Sequence, residues 1–353
     1  QQPVHRRKTA LGHRLTIVNA VAMLTRKVGD YIYRVEQPSI AMGKTGKATV
    51  VTINTISPWF ETLCLSADVL ILHLLSEHEL LPIIEERKQQ GRPTIYELSD
   101  NIMSLHSGVG IRVWFSDPVN LALAFQYMTM SDAVQVTGQG LSAQFGFTHS
   151  QMVIFENQMA TIGKAKRQPT DRVILGWAGS SGHKQDIEEI LDAISRVMHD
   201  CSHVDFAFMG DDAVYRVLSA AMPPGRVFYT PPGTLEEYLS FLQKLDIGIA
   251  PLQDNPYNHC RSDVKFLEYA SRGVVPVLRS LTPYNVSAEH GNTAFLYESP
   301  QQLSEILTRL ARDIGLRDRV RRAAYDYVKE CRTENAHAVR RLTFYSNLMD
   351  RHK

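Results

Sequence analysis

The sequence predicts an α/β protein of two Rossmann-like domains facing across a cleft, and three observations predict it. The chain has 353 residues, more than one hydrophobic core usually sustains. From about residue 30 onward, apolar runs of strand length alternate with segments of helical period, the pattern of parallel sheets crossed over by helices. A polar, basic stretch broken by Gly163 and Pro169, "NQMATIGKAKRQPTDR", divides the alternation into two series.

Taken in order, "LGHRLTIVNAVAMLTRKVG" reads as an amphipathic helix, so residues 1–29 are expected to be a helical prefix or the tail of a further domain. Residues 30–156 form the first Rossmann-like domain, with strands "YIYRVE", "ATVVTI", "DVLILHLL", "PTIYELS", "DAVQVT" and "MVIFE". Between them lie helices such as "EHELLPIIEERKQQG", which Gly91 stops. Residues 157–171 are the linker, and 172–299 the second domain. Its strands are "VILGWAG", "VDFAFMG", "RVFYT", "DIGIAPL", "VVPVLRS" and "TAFLYES", with helices starting near Lys184, Ala213, Thr234, Ser262, Pro283 and Pro300. Residues 300–353 carry a nearly continuous helical pattern. No repeat of solenoid period is present.

A hydrophobic fraction of 44% with 21% charged residues is that of an ordinary globular protein. The formal net charge of +1 gives no global attraction to nucleic acid, so any anion site must be local. Cys64, Cys201, Cys260 and Cys331 form no CxxC pair, which fits a reducing compartment without structural zinc. No membrane-length apolar run and no signal-peptide core are visible, and the expected location is cytoplasmic. Gln1 at the start, in place of Met, is consistent with a piece of a longer polypeptide and a fused or neighbouring domain.

The stretch "NPYNHCRSDVKFLEYASRG" places Arg261 and Lys265 about a helix start that Ser262 would cap and Gly273 would close. Cations at the positive end of a helix go against its dipole. A diphosphate held between them reverses the balance, and helix N-termini after βα turns commonly bind phosphate. Glu268 lies roughly 9 Å further along the axis, within reach of a ribose diol. The competing reading has Arg261 and Lys265 solvated and Glu268 paired with Arg272. A second loop, "GWAGSSGHKQD", brings Gly179, Ser180 and Lys184 to the carboxyl edge of the same sheet, where small residues let backbone N–H groups approach an anion.

The run "ILGWAGSSGHKQDIEEIL", then "FMGDD", then "LEEYLSFLQKLDIGIAPLQDNPYNHCRSDVKFLEYASRGVVPVL" resembles the C-terminal domain of GT-B glycosyltransferases of the family 4 type, over about residues 172 to 297. "GRPTIYELSDN" is similar to the "YE-x-D-D" region of such enzymes. The resemblance implies GT-B architecture, a nucleotide-diphosphate sugar as donor, and an acceptor hydroxyl on a glycan, lipid-linked glycan or protein. It implies that residues 172–299 bind the donor and 30–156 face the acceptor. Gly179 and Lys184 would then hold the diphosphate and Glu268 the ribose, with Ser180, Ser262 and Lys265 completing the donor site. The family's E-x7-E pair is incomplete, because Cys260 stands eight residues before Glu268, and Ser180 replaces the arginine after the loop glycine. Arg261 is expected to supply the missing charge, with Asp263 in the "RSD" segment at the sugar, so that Lys184, Arg261 and Asp263 are the expected catalytic residues. Retention of configuration is implied, with no metal and no cofactor.

Other positions carry two readings. Asp100 could orient an acceptor or cap a helix, and Gly43 could let a loop approach the phosphates or form a simple turn. His73 and His106 could approach the acceptor or be structural. "HELLP" departs from the zincin motif at Pro82, leaving His78 as helix surface, and Asp211-Asp212 lacks the spacer of a DxD. The basic C-terminal helices offer a surface for an anionic membrane or a solvated face. A catalytically silent GT-B-like module and a sugar-nucleotide epimerase remain alternatives.

Overall fold

The computed structural model describes residues 14–22, 29–105, 112–164 and 171–351. His106, the ends of the expected prefix and residues 165–170 of the expected linker lie outside them. Two parallel six-stranded sheets organise the chain. The first contains β1 (Leu15–Val21), β2 (Ala48–Asn54), β3 (Val69–His73), β4 (Thr94–Leu98), β5 (Ala133–Val136) and β6 (Met152–Ile154), in the order β2-β1-β3-β4-β5-β6. The second contains β7 (Val173–Gly179), β8 (Val204–Gly210), β9 (Val227–Thr230), β10 (Ile247–Ala250), β11 (Val275–Arg279) and β12 (Phe295–Tyr297), in the order β12-β11-β10-β7-β8-β9.

Both sheets are covered on two faces, and the side-chain period of two divides their residues between the layers. Leu70 and Leu72 of β3 enter one core with Val18, Tyr96 and Val136, while Val69 and Ile71 enter the other with Ile17 and Ile95. In the second sheet Phe206 and Phe208 pack with Trp177 and Ile249, and Ala207 and Met209 pack with Phe266 and Tyr269.

Two expectations for the first domain are corrected. "LTIVNAV" is not part of a helical prefix but β1, a central strand paired with both β2 and β3, and six of its seven residues are buried. "YIYRVE" is not a strand but lies in a helical run, with a π-turn at Ile32–Glu36 that continues into Gln37–Lys44. The helix lets Arg34 turn inward, where it meets Glu97, the Phe155 carbonyl and Asn157. That tertiary demand outweighs the β-propensity of its tyrosine, isoleucine and valine residues. All six strands expected in the second domain are present.

The last helix, Glu334–Arg351, crosses back to the first domain and lays Ala338, Leu342, Tyr345 and Leu348 against Ile17, Val69 and Ile95. The segment before β7 is anchored as well: Asn157 and Gln158 are buried, and the Arg332 carbonyl accepts from the Met159 N–H at 2.9 Å.

Candidate active site in the interdomain cleft

Each sheet has one place where the chain's direction of travel reverses, between β1 and β3 in the first and between β7 and β10 in the second. Crevices outside the carboxyl ends of strands at such points are where open α/β sheets bind ligands. In the second domain, β7 leads into the turn Ser181–His183 and the helix Lys184–Glu188, and β10 leads through Pro256–His259 to the helix Val264–Ser271.

Hydrogen bonds join the two crevices. Tyr257 donates its hydroxyl to Asp100 Oδ1 at 3.0 Å across the domain boundary, and Arg261 Nη1 donates to the same hydroxyl at 3.1 Å. Arg261 Nη2 lies 3.3 Å from His183 Nε2, and His183 Nδ1 lies 2.8 Å from Asp186 Oδ2. The Asp186 carboxylate can only accept, so His183 carries its proton on Nδ1 and offers the Nε2 lone pair to Arg261. Burial holds His183 below its ordinary pKa against the lift from Asp186, and the charges of Arg261 and Lys265 act in the same direction as burial. In the first domain His73 Nε2 is 2.7 Å from Asp30 Oδ2. Burial, aided by the charge of Asp30, pushes Asp100 up to about 6, although Arg261 and the Tyr257 hydroxyl oppose it.

Glu268 sits one helical turn behind Lys265 and is almost fully buried. Its Oε1 accepts from the Tyr33 hydroxyl at 2.8 Å and its Oε2 from the Tyr238 hydroxyl at 2.5 Å. Lys265 Nζ is 3.2 Å from Oε2 and donates to Tyr238 at 2.7 Å. Burial and then the Glu268 charge raise both phenols well above their usual pKa. The Arg272 pair of the competing reading is not made: Arg272 Nη2 donates to Thr161 Oγ1 at 2.7 Å instead.

The structure therefore brings Arg261, Lys265 and Glu268 together with His183, Tyr33, Tyr238 and Tyr257, and separates other expected residues from them. Lys184 is half exposed and runs along its helix to Glu188, 3.5 Å away, because the helix begins at Lys184 itself. Asp263 borders the space between the domains but is already engaged there: it is buried, and its Oδ2 accepts from Arg332 at 2.8 Å. Asp263, not Ser262, occupies the N-cap position and makes no side-chain cap, while Asn157 donates to the Ser262 hydroxyl at 3.0 Å. Gly179 ends β7, where a Cβ would stand 2.2 Å from the Trp177 ring, and Ser180 lies exposed beyond it. Gly43 is in the last turn of Gln37–Lys44, close to the start of β2, and hence at the opposite edge of the first sheet from the cleft.

Cys260 is buried with Asn101 Nδ2 at 3.4 Å from its sulfur, and burial pushes its thiol up to about 11. His78 is exposed, the Asp211 carboxylate accepts from the Ser181 N–H at 2.5 Å, and Asp212 pairs with Arg216. No trio of His, Cys, Asp and Glu among the described residues is arranged to hold a metal ion. A cavity of about 210 Å³ opens beside the loop, with Arg261, Ser262 and Asp263 on one wall and Thr137, Gly138 and Gly140 on the other.

Sequence reasoning missed Asp30, Tyr33, His183, Tyr238 and Tyr257. The i,i+3 spacing of His183 and Asp186 beside a glycine-rich turn was a visible signal for one of them. The others come together only through tertiary structure.

Two facing parallel-sheet domains, with opposed switch points and a final helix returning to the first domain, make up the GT-B architecture of glycosyltransferases. Solved structures of that architecture superpose on the chain over most of its length. HepE of Anabaena, in complex with UDP and glucose, does so with a TM-score of 0.68 at 13% identity, covering 94% of this chain and 100% of its own. A glycosyltransferase from Rickettsia africae gives 0.65 at 11% identity, covering 95% and 99%. A variant of the Thermobaculum terrenum O-GlcNAc transferase gives 0.60 at 12%, covering 96% and 68%. At these identities the likeness is one of fold. No protein-family model and no curated protein sequence matches the chain.

Proposed function

We propose that the protein is a glycosyltransferase that moves a hexose-type sugar from a nucleotide-diphosphate donor to a hydroxyl of a glycan, a lipid-linked glycan or a protein. The observation that carries the reading is the pair of facing switch points joined through Asp100, Tyr257, Arg261 and His183. One crevice is cationic, which suits a diphosphate donor, and the other carries carboxylates. The helix Val264–Ser271 has no side-chain cap, so its first-turn N–H groups are available to an anion. With Arg261 and Lys265 beside them, they would stabilise the negative charge that develops on a departing diphosphate. Lys184 would join by leaving Glu188. Glu268 would accept from the ribose diol, exchanging the Tyr33 hydrogen bond for one to the ligand.

The UDP in the HepE complexes supports a uridine nucleotide as the first donor to test. Metal-independent transfer with retention, at the cytoplasmic face of a membrane, is part of the same proposal. No described helix is long and apolar enough to cross a membrane. Thermal shift with UDP, GDP, ADP, CMP and dTDP tests the donor site, since a ligand that binds only the folded state raises apparent stability. Sugar transfer or hydrolysis of the matching nucleotide sugar in EDTA then tests the reaction. Cys260, in place of a sugar-facing glutamate, favours a second reading as a catalytically silent nucleotide-binding module. Binding without turnover would select it, and a changed sugar on an intact diphosphate would indicate an epimerase.

A further inference from the structure

Away from the phosphate loops, the seam between the domains holds a cavity of about 320 Å³. None of Lys184, Arg261, Lys265 and Glu268 lines it. Tyr33 and Gln37 of the first domain meet Leu235 and Leu239 of the helix Leu235–Leu242 there, with Met159 of the connecting segment and Arg272 completing the lining. Arg272 is only 9% exposed. Its hydrogen bonds go to Thr161 alone, to the hydroxyl at 2.7 Å and the carbonyl at 3.3 Å, and its buried Nε has no partner. No carboxylate is paired with it among the described residues. Gly163 leaves the guanidinium its place, since a Cβ there would stand 2.7 Å from Arg272 Cδ and Nη1. Cations are favoured at the end of a helix, and Arg272 follows Val264–Ser271. That accounts for a basic residue at this position but not for its burial without a counter-ion, which is costly. Burial holds Arg272 below its ordinary pKa against the lift from Tyr33 and Glu268.

Gln37 brings a matching need from the first domain, because its side-chain oxygen is also buried and unpartnered. A cation without a counter-ion calls for an anion, and an orphaned amide oxygen calls for a donor. One guanidinium suits one negative charge, and the exposed Glu236 at the cavity's edge repels a second. Leu235, Leu239 and Met159 suit an apolar body between the two polar ends. Arg272 and Gln37 belong to different domains, so a small opening of the seam admits an occupant to both.

We propose that this cavity binds a small organic acid with one carboxylate, a hydroxyl and an apolar body, the carboxylate on Arg272 and the hydroxyl on Gln37, and that its occupancy controls donor binding through Tyr33. Tyr33 belongs to the cavity and to the donor site at once, since its hydroxyl donates to Glu268 Oε1 at 2.8 Å. A carboxylate beside it competes for that hydrogen bond and frees Glu268 for the ribose. Acid and donor therefore help each other to bind, and the coupling is reciprocal. The site stands on its own residues, and only its effect on the donor rests on the glycosyl-transfer reading.

The probes are ortho-, meta- and para-hydroxybenzoate, which vary the separation of the two polar groups, with the matching hydroxybenzamides and inorganic phosphate as controls. At least one hydroxybenzoate is expected to raise the Tm of the full chain, because it binds the folded state alone, and the neutral amides and phosphate should not. Arg272→Met, and Ser240→Trp, which fills the cavity from an exposed position, should each abolish the shift and leave the affinity for UDP alone unchanged in calorimetry. In the parent protein the acid should tighten UDP binding about fivefold or more. Tyr33→Phe should keep the acid and lose the coupling. No shift from any hydroxybenzoate, an equal shift from the amides or phosphate, or a shift that survives both variants overturns the site. Competition between the acid and UDP overturns it as well, by placing the acid in the donor pocket. UDP binding that is indifferent to a bound acid overturns the control through Tyr33. An acid that binds and is lost in both variants, in a protein that binds no nucleoside diphosphate, upholds the site and sinks the transferase reading.

Discussion

Glu268 already accepts hydrogen bonds from two tyrosines, one from each domain, before any ligand arrives. Glu268→Gln should weaken nucleoside-diphosphate binding by about 1.5–3 kcal/mol. Tyr33→Phe should not weaken it, because it frees Oε1 for the ribose. Calorimetry on the two folded variants checks both, and equal losses would show that the carboxylate serves the domain contact alone. Asp100 gives a pH prediction. Its folded pKa of about 6 lies above the ordinary carboxylate value near 3.9. The folded state therefore binds the extra proton between about pH 4 and 6, and this group's contribution to stability falls as pH rises through that window. Asp100→Asn, whose amide oxygen still accepts from Tyr257, should make the apo protein more stable than the parent at pH 8 and no more stable at pH 4. Denaturant curves at the two pH values decide it. The cations and the carboxylate at 261, 265 and 268 were legible in the sequence because they share one helix start. Their partners were not, since Tyr33 is 235 residues from Glu268 and Tyr238 is 30.

Among the elements, the helix Gln139–Phe145 shows how closely the domains approach. A Cβ on Gly140 would fall 2.0 Å from the His259 carbonyl oxygen and 2.9 Å from the Cys260 Cα, both backbone atoms of the other domain. Backbone cannot rotate away as a side chain can. Gly140→Ala should hold the cleft open, raising the radius of gyration in solution scattering and lowering transfer, with each domain's core unaltered. An unchanged scattering profile would show that the helix absorbs the methyl group locally. The second sheet was legible strand by strand because parallel strands buried on both faces read as continuous apolar runs. The same property misled at β1, where "LTIVNAV" is too short for periodicity to separate a strand from a buried helix.

At the scale of the whole molecule, the first domain is discontinuous in sequence. Its outer face is closed by Glu334–Arg351, so the expectation of C-terminal helices identified the elements but not the domain they complete. A helix's period shows that it has an apolar face, not which sheet that face will meet. Burial of Leu342, Tyr345 and Leu348 stabilises the fold by about 1.5–3 kcal/mol each, a large part of the usual 5–15 kcal/mol. A chain ending at Thr333 should therefore bind a hydrophobic dye and lose cooperative unfolding of the first domain. Retention of a parent-like transition would show that the sheet stands without its cover.

That return of the last helix also sets an order of events during synthesis. The first sheet leaves the ribosome with one face bare, and its cover is encoded ~180 residues beyond β6. At typical synthesis rates the interval is roughly 10–35 s, during which the second domain is made. The domain made first is thus the last to be finished, and its exposed valines, isoleucines and leucines are what a nascent-chain chaperone would find.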